Sequence, residues 1–313
     1  MLKSVCSFYS GNKIRKLETL LAHALETGCT GVQTGGGIGS NHVVATSVHA
    51  KRSGLRCQAI LVPQPNSRSV GQNLRWTLHS GTKVFLCPDH KQYRQTQAHA
   101  MDHYQRKFGS EPSLILMGGS SPMGTVGFVS AALELAEQIR EGVCPKPDFI
   151  YLPLGTMGTA VGLTLGFALI NLDINVVPIR VVSKSIARGS RFSSLFTQTN
   201  ALLNQLNPSI PILSPPTPPI RDGWFGSGYG EFTAEGQAAV RLFKPLGIGL
   251  EGTYTGKTVA AMLSDMSSGT TAGKTVMYWM TYNRVAAPNT LDTVQLPDEL
   301  EELVNRPFQP LDQ

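Results

Sequence analysis

Between residues 17 and 123 the apolar pattern switches period repeatedly, and this limits what the chain can fold into more than any other feature. Leu17, Leu20, Leu21, Ala24 and Leu25 recur at helical spacing, so residues 16–27 read as a helix that Gly28 is placed to end. Gly31-Val32-Gln33-Thr34 is a short strand running into Gly35-Gly36-Gly37-Ile38-Gly39. Ser40-Asn41 can cap a helix over 41–53, which Gly54 stops. A strand over 57–62, a helix near 69–80, a strand over 83–86, a polar helix near 91–107 and the strand Leu114-Ile115-Leu116-Met117 follow. Strand and helix alternate, which predicts a small parallel sheet covered by helices.

The second half repeats the α/β theme. Residues 124–139 read as a helix with Val129, Ala132, Leu133, Ala136 and Ile139 on one face. Phe149-Ile150-Tyr151-Leu152 is a buried strand leading to Gly155-Thr156-Met157-Gly158-Thr159. The helix after it, 160–169, is apolar all round and so is expected inside. A strand over 176–182 and a helix over 190–206 come next. The six prolines from Pro208 to Pro219 form an extended connection, followed by helices over 233–246 and 255–266 and a strand over 275–280. The tail after Pro288 reads as polar and irregular.

Composition narrows the function classes. The chain has 313 residues, 41% of them hydrophobic, enough for two lobes with real cores. The charge of +6 comes from 27 basic and 21 acidic residues with no long run of one sign, which argues against nucleic acid as a partner. It suits a mildly positive pocket for an anionic ligand. Cys6, Cys29, Cys57, Cys87 and Cys144 are widely spaced with no CxxC pair, as expected for reduced thiols rather than disulfides or a metal site. The N-terminus lacks a signal-peptide pattern and no apolar stretch is long enough for a bilayer, so a soluble cytoplasmic protein is expected.

Three stretches could carry chemistry. In Ser10-Gly11-Asn12-Lys13-Ile14-Arg15-Lys16-Leu17-Glu18, a glycine and an amide precede a lysine at a helix start, which marks Lys13 as a candidate reactive amine. Gly155 to Leu163 takes a strand through small residues into a helix; such a turn suits a phosphate, though a plain αβ turn has the same pattern. Gly35 to His42 suits a carboxylate, though a glycine turn with an N-cap explains Ser40 and Asn41 equally. A fourth, Glu251-Gly252-Thr253-Tyr254-Thr255-Gly256-Lys257-Thr258, imitates a nucleotide P-loop but has one residue too few between its glycines. Glu251 would also oppose phosphate, so a nucleotide is rejected.

Taken in order, these motifs resemble the D-cysteine desulfhydrase and 1-aminocyclopropane-1-carboxylate deaminase family, pyridoxal-phosphate enzymes of the tryptophan-synthase-β fold. Gly11 to Glu18 resembles the family's lysine motif, and Gly37-Ile38-Gly39-Ser40-Asn41-His42 its substrate-carboxylate loop. Gly118-Gly119-Ser120 and Gly124-Thr125-Val126-Gly127-Phe128 resemble its domain-crossing segment, and Gly155 to Leu163 its phosphate loop. Gly228-Tyr229-Gly230 and Tyr254-Thr255-Gly256-Lys257 resemble its two tyrosine segments.

The resemblance implies an α/β protein of two three-layer αβα domains with open, mostly parallel sheets. Residues 1–16 and 124–313 would form the large cofactor-binding domain and 17–123 the small one. It implies that Lys13 holds pyridoxal 5'-phosphate covalently and serves as catalytic base. Asn41 would bond the cofactor's phenolic oxygen. Gly155, Thr156, Met157, Gly158 and Thr159 would hold its phosphate, and Thr255 would face its pyridine nitrogen. Ser40, Asn41 and His42 would meet the substrate, with Ser40, Tyr229 and Tyr254 in catalytic roles and Lys16 as a surface or outer charge. The deaminase carries glutamate where Thr255 stands and the desulfhydrase threonine, so the expected reaction is elimination from D-cysteine to pyruvate, sulfide and ammonia. The alternatives are a deaminase or racemase of another small amino acid, or a non-catalytic ligand-binding homologue. A homodimer is expected.

Three places depart from the family pattern. Only twelve residues precede Lys13, where relatives have several tens, so either the chain is truncated or that support is absent, and an unpaired sheet edge is expected. Tyr282-Asn283 stands where a Gly-Gly pair is usual, and those side chains are expected to crowd the ring or the substrate. Glu251-Gly252-Thr253 replaces an Asp-Pro before the second tyrosine.

Overall fold

The structure, a computed structural model, describes residues 9–283 and 285–312. They form two compact units, residues up to Gly119 together with those from Asn283 on, and Ser120–Tyr282.

The first unit alternates helix and strand as α1 (Ile14–Glu26), β1 (Gly31–Gly37), α2 (Asn41–Arg52), β2 (Arg56–Val62), α3 (Arg68–His79), β3 (Lys83–Leu86), α4 (Tyr93–Phe108) and β4 (Ser113–Leu114). Its four strands are all parallel, in the order β3-β2-β1-β4. β2 shows why such a strand carries an unbroken apolar run. Ala59 and Leu61 join a core with Val43, Val70 and Leu74 on one face, while Ile60 and Val62 join Cys87 and Ala100 on the other. β4 is shorter than its sequence suggests. Ile115 still donates to the Gln33 carbonyl, but Gly118 and Gly119 follow with φ of 68° and 64°, a left-handed pair that turns the chain out of the sheet.

The second unit contains α5 (Pro122–Arg140), β5 (Phe149–Leu154), α6 (Gly158–Leu169), β6 (Asn175–Arg180), α7 (Gly189–Leu206), α8 (Ala234–Phe243), α9 (Thr255–Ser267) and β7 (Val276–Tyr278). Its sheet is parallel with β5 at the centre and β6 and β7 at the edges. Ile150, Leu152 and Leu154 pack with α5, α6 and α7, and Tyr151 faces α8 and α9. α6 is internal, as its uniform apolarity predicts. Gly162 and Gly166 let α5 approach, because a Cβ at either would overlap Phe128 or Ala132. Behind the sheet Arg221 grips Asp265 with both terminal nitrogens, at 2.7 and 2.8 Å, and Tyr151 donates to the same carboxylate at 2.6 Å.

The C-terminal segment belongs to the first unit and is not irregular. It forms α10 (Asp298–Asn305), whose Leu300 and Leu303 enter the core beside Val70 and Leu74. Burying each contributes about 1.5–3 kcal/mol, enough to hold a two-turn helix in place. The start of the described chain joins the same unit, because Tyr9 bonds Asn41 and Ser10 bonds Asn283. The contact-defined boundaries therefore differ from the expected ones. Cys29, Cys57, Cys87 and Cys144 are free thiols, and Cys6 lies outside the described residues. Among the described residues no helix is long and apolar enough to cross a membrane.

Candidate active site

In the first unit the site residues gather at the start of α1 and the loop before α2. Gly11 takes a φ of 93°, a turn suited to glycine, and delivers Lys13 to the first position before the helix. Lys13 Nζ donates to Asn12 Oδ1 at 2.9 Å. Lys16, one turn on, is not a surface charge: it is 2% exposed and its Nζ donates to the Gly118 carbonyl at 3.0 Å. Burial, and then the Lys13 charge, hold its amine well below the usual lysine range.

His42 lies in the same field. Its Nε2 meets Thr34 Oγ1 at 2.9 Å, and burial first, then Lys13 and Lys16, keep its imidazole well below 6.5. Ser40 caps α2, its Oγ accepting from the Val43 amide. Three loop amides are already engaged: Ile38 with the Val62 carbonyl, Gly39 with Gln64 Oε1, and Ser40 with the Gly37 carbonyl. What the loop has to offer an anion therefore narrows to the first-turn amides of Asn41 and His42, which have no carbonyl behind them. Asn41 Oδ1 accepts from the Tyr9 hydroxyl and from Asn73 Nδ2.

In the second unit β5 ends at Leu154, and Gly155-Thr156-Met157 turns the chain into α6. Met157 sits at φ 72°, a strained left-handed conformation for a side chain of its kind. A Cβ on Gly155 would find only Val182 Cγ1, 4.0 Å away, so this glycine leaves open space. Ser120 braces the turn: its Oγ bonds Thr156 Oγ1 at 2.7 Å and accepts from the Gly158 amide at 3.1 Å. Thr159 is buried in the first turn of α6.

The tyrosines also meet. Tyr229 and Tyr254 share a hydrogen bond between their hydroxyls. Burial, and then the charge of Glu251, raise the Tyr229 phenol, with the bond to Tyr254 pulling the other way. Thr255 opens α9 and is fully buried. Its Oγ1 accepts from the Glu251 amide at 2.6 Å and reaches the Glu251 carbonyl at 3.1 Å. The Glu251 carboxylate accepts from the amides of Thr253, Tyr254 and Thr255, each at 2.8 Å, and so caps α9. Lys257 Nζ donates to the Phe225 carbonyl at 2.6 Å, tying α9 to the chain just before Tyr229.

Asn283 differs from its expected role. Its Oδ1 accepts from both the amide and hydroxyl of Ser10, and from the Val285 amide, so its side chain ties chain segments together. Burial, and then Glu251, push the Tyr282 phenol up to about 12. Sequence reasoning missed Tyr9, Asn73 and the bracing role of Ser120. None lies in a motif that names its partner, and only the fold brings them to Asn41 and Thr156.

Comparison with known proteins identifies the family. The family described as "Pyridoxal-phosphate dependent enzyme" matches residues 6–281. Nocardicin C-9' epimerase of Nocardia uniformis subsp. tsuyamanensis is 31% identical over 87% of this chain and 82% of its own. D-cysteine desulfhydrase of Klebsiella pneumoniae is 30% identical over 82% of this chain and 77% of its own. The solved structure of an ACC deaminase homologue is 28% identical, superposes with a TM-score of 0.76, and covers 91% of this chain and 83% of its own.

Proposed function

Because this chain belongs to the pyridoxal-phosphate dependent enzymes and pyridoxal phosphate is its cofactor, we propose that it is a lyase of the D-cysteine desulfhydrase type. In that reaction D-cysteine and water give pyruvate, hydrogen sulfide and ammonia.

The donor set suits the cofactor in kind. Lys13 supplies the amine that holds it. Gly155, Thr156, Met157, Gly158 and Thr159 would hold its phosphate at the positive end of α6, where Gly155 leaves open space. Asn41 would bond its phenolic oxygen and Thr255 would face its pyridine nitrogen. When bound, the cofactor supplies an electron sink for the charge left at the substrate's α-carbon.

The chain's own residues do the rest. Ser40, with the amides of Asn41 and His42, orients the substrate carboxylate. Lys13 Nζ, once the substrate's amine has displaced it from the cofactor, would take the α-proton. Tyr229, whose phenol is raised, and Tyr254, bonded to its hydroxyl, would deliver a proton to the departing sulfur.

The observation that carries elimination is the start of α9. The residue there is Thr255, and the nearest acid, Glu251, is bound to three backbone amides. We read Thr255 as the residue that would face the ring nitrogen; its hydroxyl, bonded to Glu251, would leave that nitrogen without a carboxylate of the residue's own. The ring would then be a weaker sink, which suits α-proton removal with loss of a good β leaving group better than opening of a cyclopropane.

Purified protein incubated with pyridoxal phosphate should absorb in the visible, and borohydride should trap the cofactor on Lys13. A colourless protein with no trapped lysine ends the reading. D-cysteine should release sulfide and L-cysteine should not. The resemblance to an epimerase favours a second reading, inversion of a small amino acid's α-carbon; loss of optical rotation without sulfide would select it. A panel including 1-aminocyclopropane-1-carboxylate completes the comparison. The same proposal includes a cytoplasmic homodimer, which sedimentation of the purified chain checks.

A further inference from the structure

We infer that Tyr9 and Asn73 are positioning residues that lock Asn41 as a hydrogen-bond donor, so that this point of the site takes an electron-rich oxygen, an inference that rests on the cofactor reading above. The lock starts from a group whose polarity is fixed. The Gly39 carbonyl can only accept. Asn73 Nδ2 lies 2.9 Å from it, so Asn73 turns its NH2 edge in that direction. The same nitrogen lies 3.2 Å from the side chain of Asn41. An NH2 edge there requires the Asn41 carbonyl oxygen opposite it, because two NH2 edges would repel.

Tyr9 reinforces this orientation by donating its hydroxyl to the same oxygen. Tyr9 is itself well held. It is 1% exposed, its ring stands edge-on to Trp76 with centroids 4.7 Å apart, and its carbonyl accepts from His49 Nε2 at 2.8 Å. Both lone pairs of Asn41 Oδ1 are thereby used. The edge that Asn41 can turn to a ligand is its Nδ2, and flipping the amide would forfeit both bonds.

A locked donor discriminates between the two protonation states of a phenolic oxygen. It bonds the anion more strongly than a neutral hydroxyl, whose proton it cannot accept, so the clamp would favour the deprotonated phenolic oxygen, the form that absorbs at longer wavelength. A free asparagine could turn its oxygen outward and accommodate either form.

The test uses the cofactor-loaded protein without substrate and reads the ratio of visible to near-ultraviolet absorbance, the cofactor's dissociation constant and the unfolding temperature. Tyr9→Phe removes one of the two donors to Asn41. It should weaken cofactor binding about threefold to tenfold, the value of one hydrogen bond, and move absorbance toward the near-ultraviolet. Asn73→Asp puts a carboxylate against Asn41 Oδ1, which should turn the amide over and present oxygen to the ligand; the visible band should largely disappear. Should Asn73→Asp fail to fold, Tyr9→Phe decides alone. Wild-type protein that takes up cofactor, with folded variants matching it in spectrum and affinity, overturns the clamp and leaves the functional reading standing. Wild-type protein that takes up no cofactor overturns that reading and the clamp with it.

Discussion

The charge of Lys13 acts on Lys16 and His42, and the charge of Glu251 acts on Tyr229 and Tyr282. On the first side burial, and then neighbouring positive charge, hold Lys16 and His42 below their usual ranges. On the second, burial and the Glu251 charge raise Tyr229 and Tyr282, which stay protonated. The first set holds its protons less tightly than usual and the second more tightly. The difference comes from two unlike devices, a lysine pair one turn apart on α1 and a glutamate bound by the first amides of α9. Each can be broken without touching the other.

The largest effect should come from the basic side. Lys13→Ala should remove borohydride trapping and lower turnover by about a hundredfold to ten-thousandfold, the usual value of a positioned general base. Activity above that floor would mean that another base takes the α-proton, and that the contrast between the two sides does not govern the chemistry.

Next comes Glu251→Ala on the acidic side. Three amides lose a charged acceptor, and a hydrogen bond to a charged group is worth about 1.5–3 kcal/mol, so the urea midpoint should fall by at least that equivalent. Tyr282, now near 12, should titrate lower when followed by phenolate absorbance. Glu251→Gln separates the two effects. It keeps an acceptor and loses the charge, so stability should recover in part while Tyr282 still moves down. If Tyr282 stays where it is in both variants, burial alone raises it and the acidic side is not electrostatic.

The cationic field gives a smaller, pH-dependent signature. His42 is depressed in the folded protein, so the unfolded chain binds its proton more tightly. Stability should be full above 6.5 and should fall as pH drops from 6.5 through the folded value. His42→Gln should flatten that limb in a series of urea midpoints. Lys16→Met, similar in volume, removes one of the two charges on the ring, so the His42 ring protons should titrate higher by NMR. No movement would show that burial alone sets His42.

These devices were unequally legible in the sequence. β2 and α6 could be read because burial on both faces, or all round, leaves an unbroken apolar run. α10 does not stand out although Leu300 and Leu303 are at helical spacing, because the acidic residues around them dilute the signal. The sequence reads Lys16 as a surface or outer charge, because a lysine at a helix start is usually solvated, and only the structure excludes the surface; the Gly118 carbonyl, 102 residues away, makes its burial tolerable. Tyr9 and Asn73 were out of reach for the same reason, each being 32 residues from Asn41. Motif order could show which residues would meet the ligand, but which residues hold those in place depends on packing.

The smallest effect concerns Ser40, where a helix cap and a substrate contact explain the same residue. As a cap alone, its loss in Ser40→Ala should cost about 1 kcal/mol, while Ser40→Gly, which caps nearly as well, should cost only a few tenths. As a carboxylate donor its hydroxyl is missing from both variants alike. The Michaelis constant for the amino acid should then rise equally in the two, whatever their stabilities. A rise confined to Ser40→Ala would make Ser40 a cap alone and leave the carboxylate to the amides of Asn41 and His42. The basic side would then orient its substrate through helix geometry and its neighbouring cations, with no side-chain hydroxyl involved.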